Sequence, residues 1–213
     1  MNTLLTYPVA SAQFERAKNL LEGFRLGKFK THEVFDVDKL AKYFAVASVL
    51  GAQHAGEWNN IRFYYNPVTS KFEPIGFDGN AGFSNSAIVS KYFPKCFSYG
   101  ETICEDGSYY DLIFSDRIFF ERYIEELQKV SEKSYLDNLF KELDEELKGK
   151  EKIIHKTIPY YHFSKDIFYA NQENIKKLLN PEKRSTNSYI QEYNKNENKL
   201  VLLIGNVNYL PIE

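Results

Sequence analysis

The 213 residues are 43% hydrophobic, 16% aromatic and 26% charged, a balance that can bury a core and that excludes a disordered chain. Twenty-seven Lys and Arg against 29 Asp and Glu leave a net charge of -2, so no global field draws the chain to nucleic acid or to an anionic membrane, and any phosphate binding must be local. No run of about 18 apolar residues is present to span a bilayer. The stretch before Arg16 has neither a basic residue nor a long apolar segment and carries no export signal. Cys96 and Cys104 are too few for a disulfide framework and read as ordinary thiols.

In chain order, Phe14, Ala17, Leu21 and Phe24 recur at helical spacing before Gly27, which predicts an amphipathic helix with one buried face. A second helix, Asp36 to Leu50, opens on an Asp cap and stops at Gly51. Its Val37, Leu40, Ala41, Phe44, Ala47 and Val49 leave few polar positions, so it reads as the central core helix. Ile61 to Tyr65 and Phe72 to Phe77 are aromatic or branched and flank Asn-Pro-Val-Thr-Ser-Lys, the pattern of a β-hairpin, with Pro74 on an exposed edge. Residues 79–114, punctuated by Gly79, Gly82, Pro94, Gly100 and Gly107, show no sustained period and read as a long ordered loop. Ser115 is the predicted cap of a helix through Val130, and a further helix runs from Ser131 or Ser134 to Leu147. Their mixed charges read as solvated faces. His155 and His162 match no helical metal spacing and read as structural, and Tyr160, Tyr161, Phe163, Phe168 and Tyr169 read as core. Ser164 to Leu179 forms another helix, stopped by Asn180-Pro181. Ser188–Tyr193 and Lys199–Gly205 are strand-like, and the apolar ending reads as the first strands of a truncated sheet.

The chemistry concentrates in residues 54–80. Asp78 ends the apolar strand FEPIGF and precedes Gly-Asn-Ala-Gly, where a carboxylate can reach a divalent cation whose other ligands are phosphate and water. Asn60 begins the paired strand, and antiparallel pairing brings the start of one strand to the end of the other. The two should therefore meet at the hairpin mouth. An Asp and an Asn jointly holding magnesium is the protein-kinase arrangement, although Asp-Gly is equally a common turn. Arg62 has two readings, a phosphate contact or an ion pair with Glu73 across the hairpin. Trp58 reads as a packing anchor.

The run FDVDKLAKYFAVASVLGAQHAGEWNNIRFYYNPVTSKFEPIGFDG, residues 35–79, resembles the spore-coat CotH kinase family, atypical bacterial protein kinases with a reduced kinase-like fold. The helix, the Trp-x-Asn segment, the aromatic strand with Asn-Pro-x-Thr and the Glu-Pro-Ile-x-Phe-Asp-Gly strand end occur in the family's order. The resemblance implies an α+β fold: a mostly helical kinase-like C-terminal lobe over 1–182, with the metal site on its hairpin, then the start of a β domain over 183–213. It also implies ATP with magnesium or manganese as cofactor, Asn60 and Asp78 as metal and nucleotide ligands, and protein Ser/Thr acceptors, such as coat or surface proteins, as substrates. The chain departs from the pattern where the usual catalytic Asp, five residues before the metal-binding Asn, is Ala55. His54 and Glu57 are the candidates to replace it. No glycine-rich nucleotide-covering loop or phosphate-pairing Lys segment precedes Asp36, where Lys18, Lys28 and Lys30 read as surface and Glu15 and Glu22 as a remnant small-lobe helix. Two functions follow as expectations: a fragment of a metal-dependent protein kinase, or a non-catalytic scaffold of a coat or cell-surface assembly.

Overall fold

The helix that Asp36 caps lies at the centre of the buried core. In the computed structural model, which describes residues 7–57, 59–85, 109–180 and 186–206, the order is α1 (Pro8–Arg25), α2 (Thr31–Val34), α3 (Val37–Leu50), a 3-10 turn (Gln53–Gly56), β1 (Arg62–Asn66), β2 (Lys71–Ile75), α4 (Tyr109–Phe114), α5 (Arg117–Ser131), α6 (Lys133–Glu142), α7 (Asp144–Ile154), α8 (Asp166–Leu179), β3 (Thr186–Asn194) and β4 (Lys199–Asn206). The fold is α+β and mostly helical, with two antiparallel hairpins among the described residues.

The Asp36 side chain accepts the Lys39 backbone N–H at 3.1 Å, and Gly51 closes α3 in the left-handed region. Leu40, Ala41, Phe44, Ala45 and Val49 are fully buried, and α3 packs most extensively on α5, then on α8. Edge-to-face rings join the layers: Phe44 meets Phe114 at 5.3 Å, and Phe114 meets Tyr123 of α5 at 5.1 Å. Full burial pushes the Tyr123 phenol far above its ordinary pKa, so it stays protonated beside Ser48 Oγ, 3.3 Å away.

The first hairpin is fixed to the start of α3. Phe35 and Phe72 form an isolated parallel bridge, and Asp36 N donates to Phe72 O at 2.8 Å. Arg62 pairs with Ile75, Tyr64 with Glu73 and Asn66 with Lys71, within a residue or two of the predicted strands. A buried carboxylate anchors α2: Asp116 accepts His32 N at 2.6 Å and faces His32 Nδ1 at 2.7 Å.

Several expectations are corrected. Asp116, not Ser115, caps α5, accepting Ile118 N at 3.1 Å, because Ser115 Oγ donates to Leu112 O and finishes α4. The helix expected to end at Leu147 is two, broken at Leu143, with Asp144, Glu145 and Glu146 opening α7 where helix-end charge favours acids. Phe14 is exposed because α1 reaches the core through its C-terminal half, Ala17, Leu20, Leu21 and Phe24. Tyr160 and Tyr161, expected in the core, are exposed, whereas Phe168 is buried. Tyr109–Phe114 is helical inside the expected loop; its residues 86–108, with both cysteines, and Trp58 lie outside the described residues.

Gly51 is where the end of α3 meets the chain beyond Asp78. Its φ is +62°, and a Cβ there would stand 1.8 Å from Phe83 O. Gly51→Ala should therefore destabilise by about 3 kcal/mol. Gly27→Ala, at φ +69° with nothing within 4 Å of the added carbon, should cost only about 1 kcal/mol. Urea unfolding of both variants measures the difference.

Candidate functional site

The mouth of the first hairpin is assembled around one buried amide. The chain leaves Gly51, makes the 3-10 turn Gln53–Gly56 and enters β1 through Asn60. Two phenols hold that turn: Tyr43 donates to Ala55 O at 2.7 Å and Tyr110 to Gly56 O at 2.8 Å. Partial burial raises the Tyr43 pKa and keeps that donor in place. Glu57 O then accepts both Asn60 N and Ile61 N, at 2.8 and 2.7 Å.

Asn60 is buried, and its Nδ2 donates across the mouth to His54 O at 2.9 Å and Asp78 O at 3.2 Å, with Phe77 O at 3.5 Å. The amide thus ties the turn before β1 to the strand end after β2. Its Oδ1 makes no hydrogen bond among the described residues.

The Asp78 side chain remains 58% exposed, and His54 Nε2 lies 3.3 Å from Asp78 Oδ2. On its other side, His54 Nδ1 lies 3.1 Å from Glu57 Oε2. The imidazole therefore bridges two carboxylates, a placement that fixes its ring plane. Asp78 and Asn80 both take positive φ, 42° and 48°, which Asp and Asn tolerate better than other side-chain-bearing residues. Between them, Gly79 passes over a floor of small residues: a Cβ on it would be 3.5 Å from the Ala52 Cβ and 3.8 Å from the Ala55 Cβ. Ala47, Ala52 and Ala55 form that buried floor. Ala55 is thus covered by the Asp78 loop.

Arg62 corrects one expectation. Glu73 is held instead by Lys39 of α3 at 2.7 Å and by Asn66 at 2.8 Å, and these hydrogen bonds keep its carboxyl below the usual range. Arg62 Nη1 donates to the carbonyls of Asn59, Asn60 and Ile61, and its guanidinium lies 5.0 Å from the Phe77 ring centroid. Glu15 and Glu22 pair with Lys18 and Arg25 on their own helix.

Downstream, a buried amide pair clamps the loop. Gly82 N donates to Leu50 O at 2.9 Å, and Asn171 of α8 donates to Phe83 O at 2.8 Å and Val49 O at 3.2 Å while accepting Asn85 N at 2.8 Å. Asn85 Nδ2 returns to Asn171 O at 2.8 Å. Neither Asn was singled out from the sequence. The available signal was Asn171 and Gln172 lying on the same helical stripe as Phe168, Ile175 and Leu179, a polar interruption of a buried face.

Among the described residues, no group of three or more His, Cys, Asp and Glu side chains is arranged to hold a metal ion. No protein-family model, curated protein or solved structure matches this chain.

Removing a buried donor that serves several carbonyls costs far more than neutralising an exposed carboxylate. Asn60→Ala should lose about 2–4 kcal/mol of stability, and Asp78→Asn, which keeps the side-chain shape and tolerance of positive φ, less than about 0.5 kcal/mol. Chemical unfolding of the two variants checks the ratio.

Proposed function

We propose that the chain is the C-terminal lobe of a CotH-like protein kinase, in which Asn60 and Asp78 hold a nucleotide-bound magnesium or manganese ion. The observation that carries the reading is the committed Asn60 amide: its nitrogen faces the mouth's own carbonyls, which leaves its oxygen for a cation. A carboxylate and an amide oxygen are hard donors suited to such an ion, and magnesium characteristically takes its remaining ligands from phosphate and water instead of from a protein cage. The donor set therefore fits without a third acidic ligand. When bound, the metal ion neutralises charge on the transferring γ-phosphoryl group.

The chain's own residues supply the rest. Asp78 is carried to the mouth on a loop pinned at Asn60 on one side and at Gly82 and Asn85 on the other. Glu57 holds His54 by Nδ1, and once Asp78 turns from His54 Nε2 to the cation, Nε2 is the nitrogen placed to accept the hydroxyl proton of a Ser or Thr acceptor. Arg62, whose Nη1 is bound to backbone carbonyls, steadies the start of β1 and retains Nε and Nη2 as donors for phosphate.

A specific feature favours a second reading, a non-catalytic scaffold module of a coat or cell-surface assembly. His54 lies against the Asp78 carboxylate that the metal requires, and the place of the usual base is the buried Ala55. Mg-ATP and Mn-ATP separate the readings in a thermal-shift titration. The kinase reading expects a rise in the midpoint of several degrees at saturating nucleotide, absent in Asp78→Ala when each protein is compared with its own ligand-free midpoint. No shift in the unsubstituted protein favours the scaffold.

A further inference from the structure

The two tyrosines that the core rejects belong to a projecting corner after α7. Ile153 is 61% exposed, Ile158 41% and Tyr160 86%, and residues 156–162 are all exposed. The corner is nevertheless built: Ile158 N donates to Ile154 O at 2.8 Å, His155 Nε2 lies 2.7 Å from Tyr161 O, and Phe163 N donates to Glu151 Oε1 at 3.0 Å. The apolar side chains are thus held outward by a hydrogen-bonded turn.

Charge surrounds them. Lys150, Lys152 and Lys156 are exposed and form no ion pair among the described residues. Lys150 stands three residues before Ile153 on α7, the spacing of neighbours on a helical surface, and Lys156 follows in the turn after the helix. The carboxylates of α7 collect at its opposite end, in Asp144, Glu145 and Glu146. Glu151, the acidic residue within the corner, has one oxygen committed to Phe163 N. Lys148 is paired with Asp144, and Lys165 lies over the Phe140 ring. A chain of net charge -2 therefore presents one basic corner tipped with aliphatic and tyrosyl side chains.

We propose that this corner docks on an anionic lipid surface. Lysines at headgroup level, with Ile and Tyr entering the interface between them, are the chemistry such a surface recognises. Charge complementarity selects the lipid, and the exposed aliphatic tips distinguish it from a polyanion, which offers no apolar layer to receive them. The corner is separate from the hairpin mouth, so this docking stands whether or not the mouth binds nucleotide.

The test is sedimentation of the whole chain with vesicles of phosphatidylcholine alone and of equimolar phosphatidylcholine and phosphatidylglycerol. Binding should require phosphatidylglycerol and weaken with added salt. Lys150→Ala, Lys152→Ala and Lys156→Ala combined should weaken it on the order of a hundredfold. Ile153→Ser with Tyr160→Ser should weaken it too, without removing the salt dependence. All five positions are exposed, and unchanged circular dichroism shows that the variants fold. Equal binding to both vesicle types, no binding to either, or full binding by the triple variant overturns the proposal. So does retention on heparin or polyglutamate without vesicle binding, which assigns the corner to a soluble polyanion or an acidic partner.

Discussion

The Asn60 carboxamide is the constraint on which the hairpin mouth depends. Two strands of five residues meet in register, yet pairing alone says nothing about the segments beyond their ends. Asn60 closes that gap by donating to His54 O and Asp78 O, so the turn after α3 and the strand end after β2 become one unit. A buried amide can do this only because its donors find carbonyls. The nitrogen is used structurally, and the oxygen makes no hydrogen bond among the described residues.

From this tie the neighbouring features follow. The Asp78 backbone is drawn towards Asn60 while its carboxylate stays in solvent beside His54. Gly79 must then cross the alanine floor, and small residues at 52 and 55 allow that approach. An acidic side chain at position 55 would be buried beneath Gly79, so the small Ala55 is integral to this mouth. The Asn171 and Asn85 clamp holds the loop's far side against the ends of α3 and α8. The two proposed readings share this frame and differ in whether Asp78 leaves His54 for a cation.

Much of this was legible in the residues. Asp36 and Gly51 bracket α3 because cap and stop act locally, and the alternating aromatics of β1 and β2 placed Asn60 and Asp78 at one mouth. Signals failed where a distant partner decides. Glu73 is taken by Lys39 from α3 instead of by Arg62 in its own hairpin, which no strand pattern can foresee. Leu143 fits the same helical period as its neighbours, so the break between α6 and α7 left no trace except the acidic cluster that opens the second helix. Tyr160 and Tyr161 were assigned to the core by residue type, but the hydrogen-bonded turn at His155 and Tyr161 carries them outward.

NMR of the labelled protein titrated with Mn-ATP tests whether Asn60 and Asp78 form one cation-binding mouth, as proposed. Paramagnetic broadening falls steeply with distance from the metal. A cation held there should make the Asn60 side-chain amide and the backbone amides of Asp78 and Gly79 disappear first, with His54 close behind, and these losses should require ATP. Broadening confined to the Asp144–Glu146 turn, or none at the mouth with nucleotide present, would contradict it.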